Sequence, residues 1–156
     1  MKLGQIIAAF RREADDAVAP YLASDDDAKA WANEAVAEAC RRSPLIVDSS
    51  TVSICTLTAV AGEPWIPYDD RIVHIRRAKP TGQPAVPVIA LEDMDDWRED
   101  WEAETGTDLI ALVSRMETWK FRAYPVLTAD RDIALTVQRV PLGDMDDLDN
   151  DEPEIP

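Results

Sequence analysis

The sequence is poor in the residue types that build most catalytic, cofactor and metal sites. Its 156 residues include one histidine, two cysteines and five glycines. No Gly-x-Ser-x-Gly sequence, no glycine-rich phosphate loop and no spacing typical of zinc ligands occurs among them. The sequence therefore predicts a protein that is not an enzyme and that carries no catalytic residue, no cofactor and no metal.

Cationic side chains are also scarce. Sixteen Lys and Arg stand against 31 Asp and Glu, which gives a formal net charge of -15. A chain with this charge repels phosphate groups, so it is not expected to wrap nucleic acid or to lie on an anionic membrane. Long apolar runs are missing too, because none approaches the roughly 20 residues that span a bilayer.

No segment at the start of the sequence resembles a signal peptide. We therefore expect a soluble protein from a reducing compartment. In such a compartment Cys40 and Cys55 are predicted to be two buried thiols, rather than a disulfide or a metal-binding pair.

An enzyme would have to rely on His74 and on carboxylate pairs. His74 lies in a β-pattern and is predicted to occupy one face of a strand. Carboxylate pairs occur at Asp69-Asp70, Asp95-Asp96 and Glu99-Asp100, and two converging carboxylates can hold Mg²⁺ or act on a glycosidic bond. In a chain this acidic such doublets arise readily, so the pattern favours a solvated face.

Two helices are predicted in the first part of the chain, over residues 3–43. Apolar residues recur at helical spacing from Leu3 to about Ala19, before Pro20. The second helix is predicted from about Asp25 to Arg42, with Ser24 as its N-cap. Its predicted inward stripe consists mostly of small residues: Ala28, Trp31, Ala32, Ala35, Val36, Ala39 and Cys40.

A β-rich part is predicted over residues 51–142. β-branched residues and alternating patterns indicate strands over 51–60, 71–77, 88–91, 108–114, 118–123 and 133–140, with the last two as a hairpin. A proline-rich loop is expected over 79–87. After Glu92 a short acidic helix is predicted to turn one side toward the fold, with Met94, Trp97, Arg98 and Trp101 on that side.

The predicted fold class is thus α+β. An N-terminal antiparallel helix pair packs with a mainly antiparallel sheet region, and the short acidic helix lies between strands. Residues 1–142 are predicted to form a single domain. Four of the five tryptophans are assigned to core packing; Trp65, in a turn with two prolines, is either an inter-subunit contact or packed locally.

The last residues, 143–156, are predicted to form an extended acidic tail. Seven of the 31 acidic side chains and no basic one lie here. Only Met145, Leu148 and Ile155 offer apolar anchors, which is too little surface to offset the entropy of ordering the backbone. We therefore expect a tail without core contacts that is disordered in the free subunit.

In their order and spacing, several segments resemble the head-to-tail adaptor proteins of tailed bacteriophages. The segments that carry the resemblance are Ala14-Asp-Asp-Ala-Val-Ala-Pro-Tyr-Leu22, the Ser24-Asp25 cap, Trp31-Ala-Asn-Glu-Ala-Val-Ala-Glu-Ala39, Arg41-Arg-Ser-Pro-Leu45, Ile72-Val-His-Ile-Arg76 and Gln138-Arg-Val-Pro-Leu142. The resemblance spans nearly the whole chain.

This resemblance implies a structural virion protein without a cofactor. It implies a ring of about twelve adaptor subunits beneath the portal protein, joined to a tail or nozzle protein, with genomic DNA passing through the lumen without specific binding. The implied location is the head-tail junction of the virion, after assembly in the host cytoplasm, with no role for a membrane.

The predicted partner interface is the tail together with Trp65. Adaptors of this kind dock by terminal extensions, so Met145, Leu148 and Ile155 are expected to enter apolar pockets of the portal or of a neighbour. The carboxylates of Asp149, Asp151 and Glu152 are expected to meet basic residues there.

The alternative from another functional class is an acidic DNA-mimic inhibitor of a host nucleic-acid-binding enzyme. It requires carboxylates spread over one face in imitation of phosphates. Seven of the carboxylates are instead concentrated in the tail, so the adaptor hypothesis is favoured.

Overall fold

The computed structural model describes residues 1–114 and 119–155. The chain divides into two compact units. The first unit contains Met1–Ile46 and Arg139–Pro156, and the second contains Val47–Gln138. A single domain over residues 1–142 stays a prediction.

Two helices form most of the first unit. α1 spans Leu3–Glu13 and α2 spans Asp25–Arg42. The predicted cap of α2 is confirmed, since the Ser24 side chain accepts a hydrogen bond from the Asp27 amide. α1 ends earlier than the predicted Ala19, because Asp15 adopts a left-handed conformation with φ 56°. Aspartate tolerates this conformation, which terminates helices.

The inward stripe predicted for α2 is only partly right. Ala28 and Cys40 are buried, whereas Trp31 and Ala35 are exposed. The shorter α1 covers less of α2 than a helix ending at Ala19 would cover. Ala28 instead packs with Leu3, Ile7 and Met145 in one apolar cluster.

The second unit contains ten strands or parts of strands, two short helices and one 3₁₀ turn among its described residues. In chain order these are β1 Val47–Asp48, α3 Val52–Cys55, β2 Thr56–Ala59, β3 Trp65–Pro67, β4 Ile72–Pro80, β5 Val88–Ala90, α4 Leu91–Trp97, the 3₁₀ turn Trp101–Ala103, β6 Thr105–Gly106, β7 Ala111–Ser114, β8 Lys120–Tyr124, β9 Val126–Leu127 and β10 Arg131–Arg139. The α+β class is confirmed.

The second unit is built in three layers. In sheet A, β10 pairs with β1, β2 and β4; in sheet B the strand order is β3-β8-β7-β5. A larger core lies between the two sheets and contains Leu112 and Phe121 of sheet B. A smaller core contains Val113 and Tyr124, which alternate with those residues and therefore lie on the other face of sheet B. The residues that cover this other face, Met94 and Trp101, come from α4 and the 3₁₀ turn.

The sheets are mainly antiparallel. β7 pairs with β8, β3 with β8, and β10 with β1 and β2 in antiparallel register. The short pairs β5 with β7 and β6 with β9 are parallel.

The strand predicted over residues 51–60 is wrong in its first half. Residues Val52–Cys55 form a helical turn, and β2 begins only at Thr56. The Asp48 carboxylate accepts hydrogen bonds from the Ser50 and Thr51 amides. Such local bonds from an aspartate favour a turn over an extended chain.

The hairpin predicted between residues 118–123 and 133–140 is also wrong. β8 lies in sheet B and β10 in sheet A. The reason lies in β9, which pairs with β6 and carries the chain between the two sheets. The first residue of the predicted strand, Thr118, lies outside the described residues.

Besides Trp31, two more of the four tryptophans assigned to the core are exposed, so that assignment is wrong for three of the four. Trp97 and Trp119 each keep 57% of their surface accessible. Trp119 precedes the first residue of β8 and its ring touches Tyr68 edge-on. It therefore lies outside the strand whose alternation buries Phe121 and Ala123. Trp101 is buried as predicted.

Candidate interaction surfaces

Of the residues considered for catalysis, His74 is exposed and Asp69 is bonded to a neighbouring arginine. His74 lies exposed on β4. The Asp69 carboxylate accepts hydrogen bonds from the Arg71 amide at 2.9 Å and from the Arg71 guanidinium at 2.7 and 2.8 Å. The hydrogen bonds from the Arg71 side chain lower the pKa of Asp69. Within residues 1–114 and 119–155, no three His, Cys, Asp or Glu side chains are grouped to hold a metal ion.

The C-terminal segment, residues 143–155, is tied to the helices of the first unit. Met145 is buried in the cluster with Leu3, Ile7 and Ala28, and Leu148 packs against that cluster. The Lys29 ammonium lies 2.8 Å from the Asp146 carboxylate. The segment therefore forms part of a small core.

Two backbone contacts fix the course of this segment across the start of α1. The Leu3 amide donates to the Asp151 carbonyl at 2.8 Å, and the Gly4 amide donates to the Leu148 carbonyl at 2.9 Å. These amides belong to the first turn of α1, where no helical carbonyl is available to them. The C-terminal segment therefore caps α1 with its own carbonyl oxygens.

The close approach at Gly4 requires glycine. A Cβ atom at this position would lie 2.8 Å from the Leu148 carbonyl oxygen. On the other helix, the Asn33 amide nitrogen donates to the Met145 carbonyl and its amide oxygen accepts from the Met145 amide, both at 2.9 Å. One asparagine therefore satisfies both backbone groups of a buried residue.

Several carboxylates of the C-terminal segment stabilise the segment itself. Asp151 accepts from the Asp146 and Asp147 amides at 2.7 and 2.8 Å. The Asn150 side chain, together with the Asp149 and Asn150 amides, donates to Asp147 and lowers the pKa of that carboxyl. The turn is thus built from aspartate acceptors.

The buried Arg139 guanidinium joins the end of the segment to the end of β10. It forms an ion pair with Glu154, with one Nη1–Oε2 distance of 3.0 Å. Glu154 also accepts from the Leu142 amide at 3.0 Å. A fully buried arginine is rarely found without a paired carboxylate, so this contact fixes residues 142 and 154 side by side.

The expectation of a tail without core contacts is therefore wrong. The segment has few apolar side chains, but its backbone carbonyls and the Met145 amide bond with α1 and Asn33. Met145 is occupied within its own chain and is not available at the surface. Leu148 and Ile155 are half-buried, Asp149 and Glu152 are exposed, and Asp151 bonds within the segment.

The loop between α1 and α2, residues 14–24, presents apolar side chains outward. Val18 is 82% exposed and Leu22 is 90% exposed. Next to the loop, Phe10 and Trp31 form an edge-on aromatic pair with centroids 5.7 Å apart, and both are partly exposed. Exposed apolar side chains of this size can serve as anchors for a partner, so this interhelical loop is a candidate contact surface.

A buried ion pair holds the interhelical loop in shape. The Arg11 guanidinium lies 2.9 Å from Asp16 and 2.8 Å from Asp25, and it stacks 3.8 Å from the Tyr21 ring centroid. Asp16 accepts from the Leu22 and Ala23 amides. The hydrogen bond from the Leu22 amide is the main cause that lowers the pKa of Asp16. The outward position of Leu22 is therefore set by Asp16.

Sequence reasoning missed both Arg11 and Asn33. A signal existed for Arg11, which continues the i, i+4 row of Leu3 and Ile7 and so lies on the buried side of α1. No comparable signal existed for Asn33, whose partner is 112 residues away along the chain.

Trp65 lies in β3 and not in a turn. It is half-buried, and the Arg122 guanidinium lies 5.5 Å from its ring centroid. Together with Leu91 and Val113, these two residues line a cavity of about 50 Å³. Local packing accounts for these contacts, and an inter-subunit role for Trp65 stays a prediction.

Comparison with known proteins gives one family. The family model described as SU10 adaptor protein matches residues 1–156 of the chain. No curated protein matches it. Among the described residues, no helix combines the length and the apolar character needed to cross a membrane.

Proposed function

We propose, since the chain belongs to the SU10 adaptor protein family, that it forms a ring beneath the portal of a phage virion and joins the head to the tail. Membership of this family identifies the chain as a phage structural adaptor protein. The finer role, with about twelve copies, portal and tail or nozzle proteins as partners and a location at the head-tail junction, is our proposal. The single observation that carries it is the family match over the full length of the chain.

The first unit offers the surface that suits the portal. Val18 and Leu22 are the most exposed large apolar residues of that unit, and the Arg11–Asp16 pair fixes the loop that carries them. A rigid apolar loop loses little entropy on binding. We propose that this loop supplies the apolar anchors that were expected from Met145 and Leu148.

The outward carboxylates of the C-terminal segment add charge to the same unit that carries the apolar loop. Asp149 and Glu152 are exposed, and Ile155 is half-buried. We propose that these residues, with Asp151, meet basic residues of the partner. Contacts between exposed charges weaken as salt rises, since the Debye length falls to about 3 Å at 1 M.

The net charge suits a channel through which DNA moves. A ring of about twelve copies at -15 each carries a formal charge on the order of -180. An acidic lumen repels phosphates and keeps the DNA from binding. Neither the membrane nor a cofactor has a part in this proposal.

No specific observation favours the DNA-mimic alternative. Of the seven acidic side chains in the C-terminal segment, Asp147, Asp151 and Glu154 accept hydrogen bonds from their own chain. Carboxylates used in this way hold the segment in place and are not displayed as a row of phosphate mimics.

Binding to the portal protein of the same phage tests the proposal. The purified chain and the purified portal are mixed and sedimented together. We expect the wild-type chain to sediment with the portal and the variant Val18→Ser with Leu22→Ser to bind at least about tenfold more weakly. The matched control changes two exposed apolar residues of the second unit, Val52→Ser with Val60→Ser, which are 74% and 49% accessible.

The two parts of the proposal are tested separately. A wild-type chain that never sediments with the portal would contradict the adaptor role. A Val18 and Leu22 variant that binds as well as the control would contradict only the assignment of the apolar loop.

A further inference from the structure

Four of the nine Lys and Arg residues of the second unit lie close together in the sequence. Arg71, Arg76, Arg77 and Lys79 lie within nine residues, and no Asp or Glu occurs from Arg71 to Leu91. Three of them belong to β4. The chain has about two acidic residues for each basic one. A stretch of this length without any acidic residue is therefore unusual in it.

Most of the described arginines have a carboxylate partner, whereas the exposed cations of β4 have none among the described residues. Within residues 1–114 and 119–155, no carboxylate lies within 4.0 Å of Arg76, Arg77 or Lys79. Arg98 and Arg131, in contrast, each have a carboxylate partner in the same unit. Among the residues that the structure describes, the charge of Arg76, Arg77 and Lys79 thus has no paired carboxylate.

An open groove of about 680 Å³ runs beside these cations. Its lining includes Arg76 and Arg77 from β4, Val88 from β5, and the stacked rings of Tyr68 and Phe121. β4 pairs with β10 in sheet A, and β5 pairs with β7 in sheet B. The groove therefore combines an apolar floor with a cationic rim.

A complementary surface exists in a different layer of the same unit. The acidic segment, residues 92–104, contains eight Asp or Glu and one cation, Arg98. Within it, Trp97 is 57% exposed, and the neighbouring Asp96 and Glu99 are exposed as well. An exposed tryptophan flanked by carboxylates matches a groove that is apolar inside and cationic at its rim.

The two surfaces cannot meet within one copy. Trp97 contacts Tyr124, which lies on the opposite face of sheet B from Phe121 of the groove. Only the acidic segment of another copy can reach the groove. A contact between two different surfaces of identical chains is head-to-tail, and repetition of such a contact closes a ring or builds a filament.

We propose that the groove beside β4 binds the acidic segment of a second copy of this chain, with Trp97 as the apolar anchor and Asp96 and Glu99 facing Arg76 and Arg77. The inference rests on the proposed ring-forming role and names the subunit contact within it. The strength of this contact falls with salt, because its charges lie at an exposed rim.

Charge reversal tests the pairing directly. Self-association is measured by sedimentation velocity at low salt, about 0.02 M, and again at about 0.5 M. We expect the wild-type chain to associate more tightly at low salt, and the variants Arg76→Glu with Arg77→Glu, and Asp96→Arg with Glu99→Arg, each to associate at least about tenfold more weakly. Trp97→Ala should weaken association to a similar degree.

The mixture of the two reversed variants is the sharpest arm of the experiment. In the mixture the reversed groove of one variant can pair with the reversed segment of the other variant. The unchanged groove can likewise pair with the unchanged segment, so association should return. The matched control is Arg41→Glu with Arg42→Glu, an arginine doublet of the first unit with the same change in net charge, which should associate like the wild type. Melting temperatures of all variants show whether each one is folded.

The outcomes show whether a second copy of the chain or DNA binds in the groove. A wild-type chain that stays monomeric at low salt, or reversed variants that associate like the control, would overturn the proposal. So would a β4 variant that loses binding to a short DNA duplex while keeping self-association. Portal binding, measured in parallel, separates the inference from the adaptor role, since a chain that binds the portal but whose self-association does not depend on Arg76 and Arg77 refutes only the groove.

Discussion

Two acidic segments of the molecule differ in what their carboxylates do. Residues 92–104 carry eight acids and residues 144–154 carry seven. In the first segment Asp96 and Glu99 point to solvent, and the segment is held by the buried residues Met94 and Trp101. In the second segment, carboxylates bond the backbone of their own chain and the buried Arg139.

The difference shows that acid content does not decide whether a segment is ordered. Both segments have few apolar anchors. The C-terminal segment is ordered because α1 and Asn33 offer donors and acceptors that only a second piece of backbone can satisfy. In the acidic segment of the second unit Asp95 and Glu104 also bond within the chain, whereas Asp96 and Glu99 are exposed.

Removal of the C-terminal segment is expected to give the largest effect. Truncation after Leu142 removes Met145 from its cluster, both caps of α1 and the Glu154 partner of Arg139. We expect the free energy of unfolding to fall by about 3 kcal/mol or more. Urea denaturation measures this loss. A change within about 0.5 kcal/mol would show that the segment is a passive tail.

The two methionine anchors allow a direct comparison of the segments. Met94 and Met145 are both buried, each in a different unit. We expect Met94→Ala and Met145→Ala each to cost about 2–5 kcal/mol, because each removes a buried side chain and leaves a cavity. Denaturation followed separately in each unit checks this, for example by amide hydrogen exchange. Loss of protection in the unit that was not changed would contradict the assignment of the anchors.

Gly4→Ala sharpens the role of the close backbone approach. In an exposed helix this substitution stabilises by up to about 1 kcal/mol. At Gly4 we expect net destabilisation of about 1–2 kcal/mol, since the new Cβ would crowd the Leu148 carbonyl. The control is Gly143→Ala, where no atom lies within 4 Å of the added Cβ. A stabilised Gly4→Ala protein would show that the segment does not cross α1 at this point.

Acid should weaken both carboxylate-built turns of the first unit. The pKa values of Asp16 and Asp147 lie below the ordinary value of 3.8. A carboxyl whose pKa is lowered by folding contributes stability above its unfolded pKa and loses it as the pH falls through the folded value. We expect constant stability from about pH 7 to pH 5 and a decline below about pH 4.

The variant Asp16→Asn separates one turn from the other. It should be less stable than the wild type at neutral pH and should lose less stability on acidification, because the titrating group is gone. Thermal melts at several pH values give both slopes. Equal slopes for variant and wild type would show that Asp16 does not contribute to the acid response.

Local patterns in the sequence predicted α2 and the start of α1 well, but not the end of α1 or the helical turn α3. The Ser24 cap and the extent of α2 follow from hydroxyl and carboxylate positions at a helix start, and the structure confirms both. The α+β class follows from the change of hydrophobic period near Pro44. These features depend on residues that are near one another in the chain.

Strand pairing and the partners of buried polar groups were not predictable in the same way. Sheet A and sheet B both contain strands from distant parts of the chain, so the alternating pattern of β8 and β10 could not reveal that they belong to different sheets. Asn33 reads as an ordinary polar helix residue until Met145 is placed beside it. The candidate loop at Val18 and Leu22 was hidden because its apolar residues continue the pattern of α1.

The mass of the complex formed with the portal tests the adaptor role most directly. Native mass spectrometry of the chain mixed with the portal protein of its phage gives the number of copies bound. The account predicts one discrete complex with about twelve adaptor subunits per portal ring. A portal whose mass does not change in the presence of an excess of the chain would contradict it.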